Sequence, residues 1–390
     1  MSKSDRIPRD KKNDYSRDMA SQRATFVSEM TGASLDTVAS YTIDPLLTQG
    51  NIENFTGTAQ VPIGIAGPLT IVGEHAKGDF YIPMATTEGT LVASYSRGMR
   101  VISECGGVRT TVVKDSMQRA PVFLFDNALE VREFGKWLNE HMDAIRGVVK
   151  TSSRTAKLTE IEQYIVANMM YSRFCYTTGD AAGQNMTGKA TLLACEWIRA
   201  NHPLKPRYVL SGNTDTDKKH SMMNMIQTRG KRVVAEFVLK RDVAKKLLRV
   251  DTEWLYRFRQ IAYVGTMQAG AAYAGPHSAN GIAAMFIATG QDAANVAESH
   301  AGLNYGELLD NGDFYWAVTL PALICATYGG GTGLPTQREC LEMMDCFGSG
   351  KADKLAEIIA AVVLAGDVSL SSAILAGEWV SSHEKMGRNR

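Results

Sequence analysis

Several absences narrow what this chain can be. Its six cysteines (Cys105, Cys175, Cys195, Cys325, Cys340 and Cys346) form no Cys-x-x-Cys pair and no cluster with histidine. That spacing excludes a zinc knuckle and a disulfide framework, and leaves buried thiols in a reducing compartment. We therefore expect a cytoplasmic protein without a metal. No window reaches 18 uninterrupted apolar residues. The richest stretch, 355–380, is broken by Glu357, Asp367 and serines, so we expect packed helices there and no membrane span. The N-terminus has charges but no apolar core behind them, unlike a signal peptide. Net charge is +1, too little for a field that gathers nucleic acid or an anionic membrane. The G-x-G-x-x-G fingerprint is missing as well, which argues against a Rossmann site.

With 45% hydrophobic residues the chain has material for a large core, and 390 residues allow two or three domains. Residues 1–35 mix lysines and arginines with aspartates and read as a charged, solvated or partly ordered arm. Glycine and proline at the density of Pro62-Ile63-Gly64-Ile65-Ala66-Gly67-Pro68 predict a fixed loop. Short strands are expected at 69–72 and 79–83, then a helix over 90–104, which puts Glu88 at a strand-to-helix turn. Residues 121–210 read as strand, one helix over 127–149, a bent strand-like stretch over 160–176, a second helix over 184–200 and a closing strand. That β-α-β-β-α-β order is ferredoxin-like, and its place between dissimilar flanks marks an insertion into a larger domain made of 36–120 and 211–390. A long Ala/Gly-rich helical region is expected over 264–289, a tight glycine loop at 329–332, and the last helices from Asp353 to about His383. The fold class is α+β.

Four residues stand out, and each also has a plain structural explanation. Glu88, beside Met84 and Ala85, is a helix N-terminal charge or a proton donor in an apolar setting. Lys218 lies in the polar stretch Ser211 to Lys219, which is a solvated loop or a place where an ammonium meets an oxyanion, with Ser211 and Asp217 beside it. Asp292 is a cap or a functional carboxylate. His383 is a surface histidine or a proton donor on a closing tail. His277 and Asn280, one turn apart, form a polar core pair or a pocket wall. The turn Thr178 to Met186 opens a helix whose free amides suit a pyrophosphate, and Ser153-Arg154 suits a 2′-phosphate.

Together, Glu53-Asn54, Pro62 to Pro68, Pro83 to Gly89, Asp115 to Pro121, Gly179 to Met186, Ser211 to Lys219, Gly290 to Ala294, Gly329 to Thr332 and Ser382-His383 resemble the 3-hydroxy-3-methylglutaryl-CoA reductases of eukaryotes and many archaea. The resemblance spans about residues 35–388. It implies four-electron reduction of hydroxymethylglutaryl-CoA to mevalonate and CoA in isoprenoid precursor synthesis. The route is through a hemithioacetal and mevaldehyde, with two NADPH and no metal. It implies catalytic roles for Glu88 (proton donor), Lys218 (oxyanion cation), Asp292 (carboxylate tuning both) and His383 (acid for the departing thiolate). NADPH would lie on the inserted domain against Ser153, Arg154, Asp180, Gly183 and Asn185. Arg119, Ser211, Asp217, Lys219, His277 and Asn280 would face the hydroxymethylglutaryl group, and Ser94 and Arg97 would face CoA. A homodimer with a shared site is implied, with a tetramer as the larger assembly. The sequence departs from the family at Ala182 and Gln184, where methionines are usual. It departs again at Gln260-Ile261, where a lysine is expected and Arg259 is the nearest substitute. That second departure leaves open another acyl-CoA or the oxidation of mevalonate, and a non-catalytic CoA-binding protein is the remaining alternative. No membrane anchor and no regulatory serine after His383 are seen, as in a free-standing, unregulated form.

Overall fold

The computed structural model describes residues 6–377. The N-terminal segment, whose composition reads as a solvated or partly ordered arm, contains a helix, α1 (Arg17–Thr31). Ser16 caps its first turn by accepting from the Met19 amide, and Gly32 closes it in the left-handed conformation. The reason for the order is Arg23. It is fully buried, donates to the carbonyl oxygens of Pro8, Asp14 and Phe55, and pairs with the Asp14 carboxylate. A guanidinium with its donors filled in this way can leave water, and it ties the arm to the loop ahead of the first sheet.

Strands β1 (Ile63–Val72) and β2 (Lys77–Ala85) form an antiparallel hairpin. The Pro62–Pro68 stretch is therefore mostly strand, which corrects the loop expectation. A register shift between Ala66 and Leu69 accommodates Pro68, which has no amide to give the ladder. Helix α2 (Leu91–Glu104) lies on this hairpin and buries Leu91, Tyr95, Met99 and Ile102, the three-and-four spacing visible in the sequence.

Strand β3 (Arg109–Arg119) bends at Ala120-Pro121 into β4 (Val122–Leu124), and both halves pair with β6. Then come α3 (Ala128–Glu140), α4 (Met142–Ser152), β5 (Lys157–Val166), β6 (Met169–Thr177), α5 (Gln184–Asn201) and β7 (Arg207–Val209). The single helix expected over 127–149 is broken at His141, whose ring stacks 4.0 Å from that of Trp137. The strands of this unit lie in the order β7-β4-β6-β5, all antiparallel, and enclose their own core around Phe123, Phe134, Ile145, Phe174 and Ile198.

The chain continues through α6 (Met222–Gln227), β8 (Gly230–Leu239), a single turn α7 (Arg241–Val243), α8 (Thr252–Ala269), α9 (Ser278–Thr289) and α10 (Val296–Ser299). It ends with β9 (Leu303–Leu308), β10 (Phe314–Leu323), α11 (Pro335–Met343) and α12 (Ala352–Leu375). The expected helical region 264–289 is thus two helices, separated by a loop that starts at left-handed Gly270. Because β3 pairs with both β6 and β8, the strands join into one eight-stranded sheet. Helix α12 is the core of the larger half. Of the described helices it alone is long and apolar enough to cross a membrane, yet 83% of its apolar window is buried inside the protein. Its two buried carboxylates are both satisfied. Glu357 accepts from the amides of Glu74, His75 and Ala76, and Asp367 accepts from Tyr273, Asn304 and the His277 amide.

Helices α2 and α12 cross at Gly98, where an added Cβ would stand 1.8 Å from the Ala365 carbonyl oxygen. Gly98→Ala should destabilise by about 2 kcal/mol or more. Gly147→Ala, in α4 with nothing within 4 Å, should instead stabilise by up to about 1 kcal/mol. Urea melts of the two variants beside the parent test the crossing, and equal midpoints would contradict it.

Candidate active site

The loop between β7 and α6 holds three non-glycine residues in the left-handed region, Asn213, Thr216 and Lys218, with φ of 67°, 56° and 55°. Each costs on the order of 1 kcal/mol, so the loop keeps this shape only because its surroundings impose it. Asp215 is buried between Arg119 (2.9 Å) and the Ser211 hydroxyl (3.0 Å). Fully buried Arg229 donates to the Asp215 carbonyl oxygen (3.0 Å) and to the Asp217 carboxylate (2.7 Å). The Lys218 amide donates to buried Glu298 (3.0 Å). What this fixed backbone presents is the Lys218 ammonium, 2.9 Å from Asp292 with both groups open to solvent. Asp292 in turn caps the short 293–295 turn by accepting from the Ala294 amide. Its hydrogen bond raises the Lys218 pKa and keeps the cation charged. Lys219 is exposed and donates to the Asp217 carbonyl oxygen (2.9 Å).

A second group of residues gathers on α2, α9 and α12. His277 is buried against the ring of Tyr95 (4.6 Å between centroids), and its amide donates to Asp367 (3.1 Å). The Asn280 amide lies 3.1 Å from His277 Nδ1, which places the imidazole proton on Nε2. The Ser94 hydroxyl is 3.0 Å from that of Ser369, and Arg97 Nε donates to the same hydroxyl (3.0 Å). Glu88 lies near this group and is exposed, so the apolar setting expected for it does not exist within one chain. Among the described residues its side chain forms no ion pair with Lys218. One chain therefore joins Lys218 to Asp292, and His277 to Asn280, but leaves Glu88 apart from Lys218. His383 lies outside the described residues.

Of the expected cofactor residues, Asp180, Gly183 and Asn185 lie in or just after the turn that opens α5, and Ser153 and Arg154 follow α4, next to Thr155, which approaches that turn at Gly179. Gly183, at φ 84°, precedes α5, and no side chain caps its first turn. A Cβ at Gly183 would collide with Thr178 at 2.3 Å. Asn185 is exposed on the first turn, and Arg154 is exposed nearby in sequence to Ser153. Ser153 Oγ accepts from the amides of Thr155 and Ala156, which leaves its proton to donate. Asp180 is a different matter. Its carboxylate accepts from the amides of Gly350, Lys351 and Ala352, capping α12 and docking the inserted unit on the larger half.

Arg259 does not substitute for a lysine. It is buried, donates to the carbonyl oxygens of Ala274 and Asn304, and lies over the rings of Tyr263 and Trp316. Gln260 is exposed and accepts from Arg257 (2.8 Å), so a guanidinium stands one turn from Ile261. Reading the sequence missed Arg229, Asn295, Glu298, Tyr95 and Asp367. Only a buried setting makes these residues matter, and none sits in a pattern that announces it.

Burial lowers the His277 pKa from 6.5 to about 4. A depressed histidine contributes stability above about pH 6.5 that is lost as pH falls toward about 4. Between pH 7 and pH 5 the loss should be about 2 kcal/mol, and His277→Gln should remove it from the difference between urea melts at the two pH values. The imidazole proton resonances of His277 should stay at their neutral positions down to about pH 5. A midpoint near 6.5 would contradict the burial argument. Asp367, pushed up to about 6 by burial, acts in the opposite direction over the same range, so the comparison is made by difference.

The sequence profile of the hydroxymethylglutaryl-coenzyme A reductase family matches residues 19–388. The 3-hydroxy-3-methylglutaryl-coenzyme A reductase of Aeropyrum pernix is 44% identical over 378 residues, covering 94% of this chain and 89% of its own. That of Methanocaldococcus jannaschii is 41% identical over 373 residues, covering 94% and 92%. A reductase of Oryza sativa is 38% identical over 348 residues, covering 85% of this chain and 61% of its own. Among solved structures, the class II 3-hydroxy-3-methylglutaryl-CoA reductase of Streptococcus pneumoniae shares the fold, with a TM-score of 0.70 at 19% identity over 91% of this chain and 96% of that one. With a family match across nearly the whole chain and archaeal relatives above 40% identity, this chain belongs to the hydroxymethylglutaryl-coenzyme A reductase family.

Proposed function

We propose that this chain reduces the thioester of hydroxymethylglutaryl-CoA to the primary alcohol of mevalonate, releasing CoA and consuming two NADPH. The observation that carries the reading is the Lys218–Asp292 pair, an ammonium kept charged on a fixed loop and still open to a ligand. Hydride addition to a carbonyl turns a neutral oxygen into an alkoxide. A preset cation therefore stabilises the transition state more than the ground state. NADPH supplies the hydride for each of the two reductions. Uncapped first-turn amides of α5, the glycine at 183 that a Cβ would close, and exposed Arg154 are a donor set suited to its phosphates. We assign Ser153, Arg154, Gly183 and Asn185 to that contact. Asp180 holds the turn in place through α12.

Proton delivery falls to Glu88 at the aldehyde stage, with Asp292 tuning Lys218. His383 would protonate the departing thiolate, and neutral His277 would offer its Nε2 proton to the acyl group beside Asn280. Arg119, Ser211, Asp217 and Lys219 would frame that group, and Ser94 and Arg97 would face CoA. Because Glu88 and Lys218 do not meet within one chain, we place the site between two subunits. Helix α8 supports this. Of its 18 residues only Thr252, Leu255 and Arg259 are buried, and Ile261, Val264 and Met267 are 51%, 67% and 81% exposed. An apolar face of that kind is expected to be covered. A tetramer would stack two such dimers. The free thiols, five of them buried, fit a reducing compartment, and on that ground we assign the enzyme to the cytoplasm.

A second reading, reduction of a different acyl-CoA, is favoured by one observation. Arg259 is buried, and Gln260-Ile261 offers no ammonium to a substrate carboxylate. NADPH consumption with hydroxymethylglutaryl-CoA and with other thioesters, with the product identified, decides between the two. Lys218→Ala should lower kcat by about 10²–10³-fold, and undiminished turnover would remove the oxyanion role. Val264→Asp with Met267→Asp should convert a dimer to monomers in light scattering and abolish turnover with it. A monomeric parent would refute the shared site.

A further inference from the structure

Five side chains form a closed ring between the start of α5 and the Lys218 loop. Gln184 Nε2 donates to Asp217 Oδ1 (3.0 Å), which also accepts from Arg229 Nη2 (2.7 Å). Arg229 Nε lies 3.5 Å from Glu298 Oε1, which accepts from Asn295 Nδ2 (3.0 Å). Asn295 Oδ1 closes the ring by accepting from the same Gln184 amide (3.2 Å). Arg229, Glu298 and Asn295 are at most 1% exposed, while Gln184 and Asp217 are half-buried, so the ring is shielded from water on the side of the larger half. The ring touches Lys218 on both sides, since Asp217 precedes it and Glu298 Oε1 takes its backbone N–H at 3.0 Å. Asp292, six residues before Glu298, holds the ammonium at the other end.

Within the ring Gln184 alone belongs to the inserted unit. It is the first residue of α5, directly after Gly183 and directly before exposed Asn185. Its carbonyl oxygen also receives Arg119 at 3.5 Å. Any shift of this turn moves one amide that two acceptors of the larger half share, and those acceptors are one bond from the residues that set Lys218.

We propose that Gln184 is a positioning residue through which occupancy of the dinucleotide turn sets the Lys218 loop, so that cofactor and acyl ligand bind in a coupled way. This rests on the assignment of NADPH to that turn. Linkage makes the effect reciprocal, so it can be read from either ligand. Methionine at 184 has similar length and no donor. Asp217 then keeps Arg229 and Asn295 Nδ2 keeps Glu298, while Asn295 Oδ1 loses its donor together with the link between the two halves.

The test is equilibrium titration of NADPH into the full chain, with and without saturating mevalonate. The reduced cofactor and the fully reduced alcohol cannot react with each other. In the parent, mevalonate should change the NADPH Kd by about three- to tenfold, the range of one shared hydrogen bond. In Gln184→Met that change should fall below about twofold, while the Kd for NADPH alone stays within about threefold of the parent. In steady state kcat should fall, and the NADPH KM at saturating acyl substrate should move toward the value set by the Kd for NADPH alone. Gln184→Glu, which turns an acceptor toward Asp217 Oδ1, should lose the coupling too, and it provides the same readout if the methionine variant does not fold. Coupling retained in either variant, or absent from the parent, overturns the proposal. Failure of the parent to bind NADPH or to turn over hydroxymethylglutaryl-CoA would instead overturn the assignment of function.

Discussion

A guanidinium without access to water governs the larger half of the site. Arg229 is fully buried, and desolvation alone would press it to give up its proton. It stays charged because acceptors from separate parts of the chain converge on it. These are the carbonyl oxygens of Gln118 and Asp215 and the carboxylate of Asp217, with the Glu298 carboxylate 3.5 Å from Nε as a further charge partner. Such a cluster adds little net stability, since the cost of desolvating its charges is comparable to what their attraction returns. What it does is remove alternatives. The end of β3, the loop after β7 and helix α10 meet around Arg229 in one arrangement, and in that arrangement Lys218 holds a positive φ with its ammonium outward.

The same logic of satisfied burial explains how the two halves are joined. Asp180 caps the longest helix with three hydrogen bonds, and Gln184 bonds the Lys218 loop, so the turn 180–184 is fastened at both ends. The bent β3–β4 strand fuses the two sheets beneath it. A ligand in the turn 180–185 therefore pushes against a rigid frame, and its effects pass into the neighbouring loop instead of being absorbed.

Legibility in the sequence followed the range of the forces involved. Helix α2, helix α5 and the β5–β6 hairpin rest on local periodicity and turn chemistry, and they could be read directly. The ferredoxin-like strand order followed from the order of its elements. Where tertiary contacts decide, local signals misled. Buried Arg23 orders an arm whose composition looks solvated, and pairing with β2 makes a strand of a segment whose glycines and prolines look like a loop. In the site, exposed Lys218 and Asp292, half-buried Asn280 and buried His277 lie in motifs that could be recognised. Arg229, Glu298 and Asp367 carry no such mark, because a buried charge and a surface charge are the same letter.

One departure in the sequence gains its meaning only in three dimensions. A methionine at position 184 would meet the Lys218 loop through apolar contact, which is indifferent to small rotations. An amide at that place is directional, and its two acceptors lie on opposite sides of the ring. Gln184 therefore makes a contact with an angular preference at the boundary between the two halves. Asp217 and Asn295 each also hold a buried partner of their own, Arg229 and Glu298, so Gln184 adds a link to groups that are already fixed. A single side chain can in this way add coordination between the halves to a site whose chemistry it does not touch.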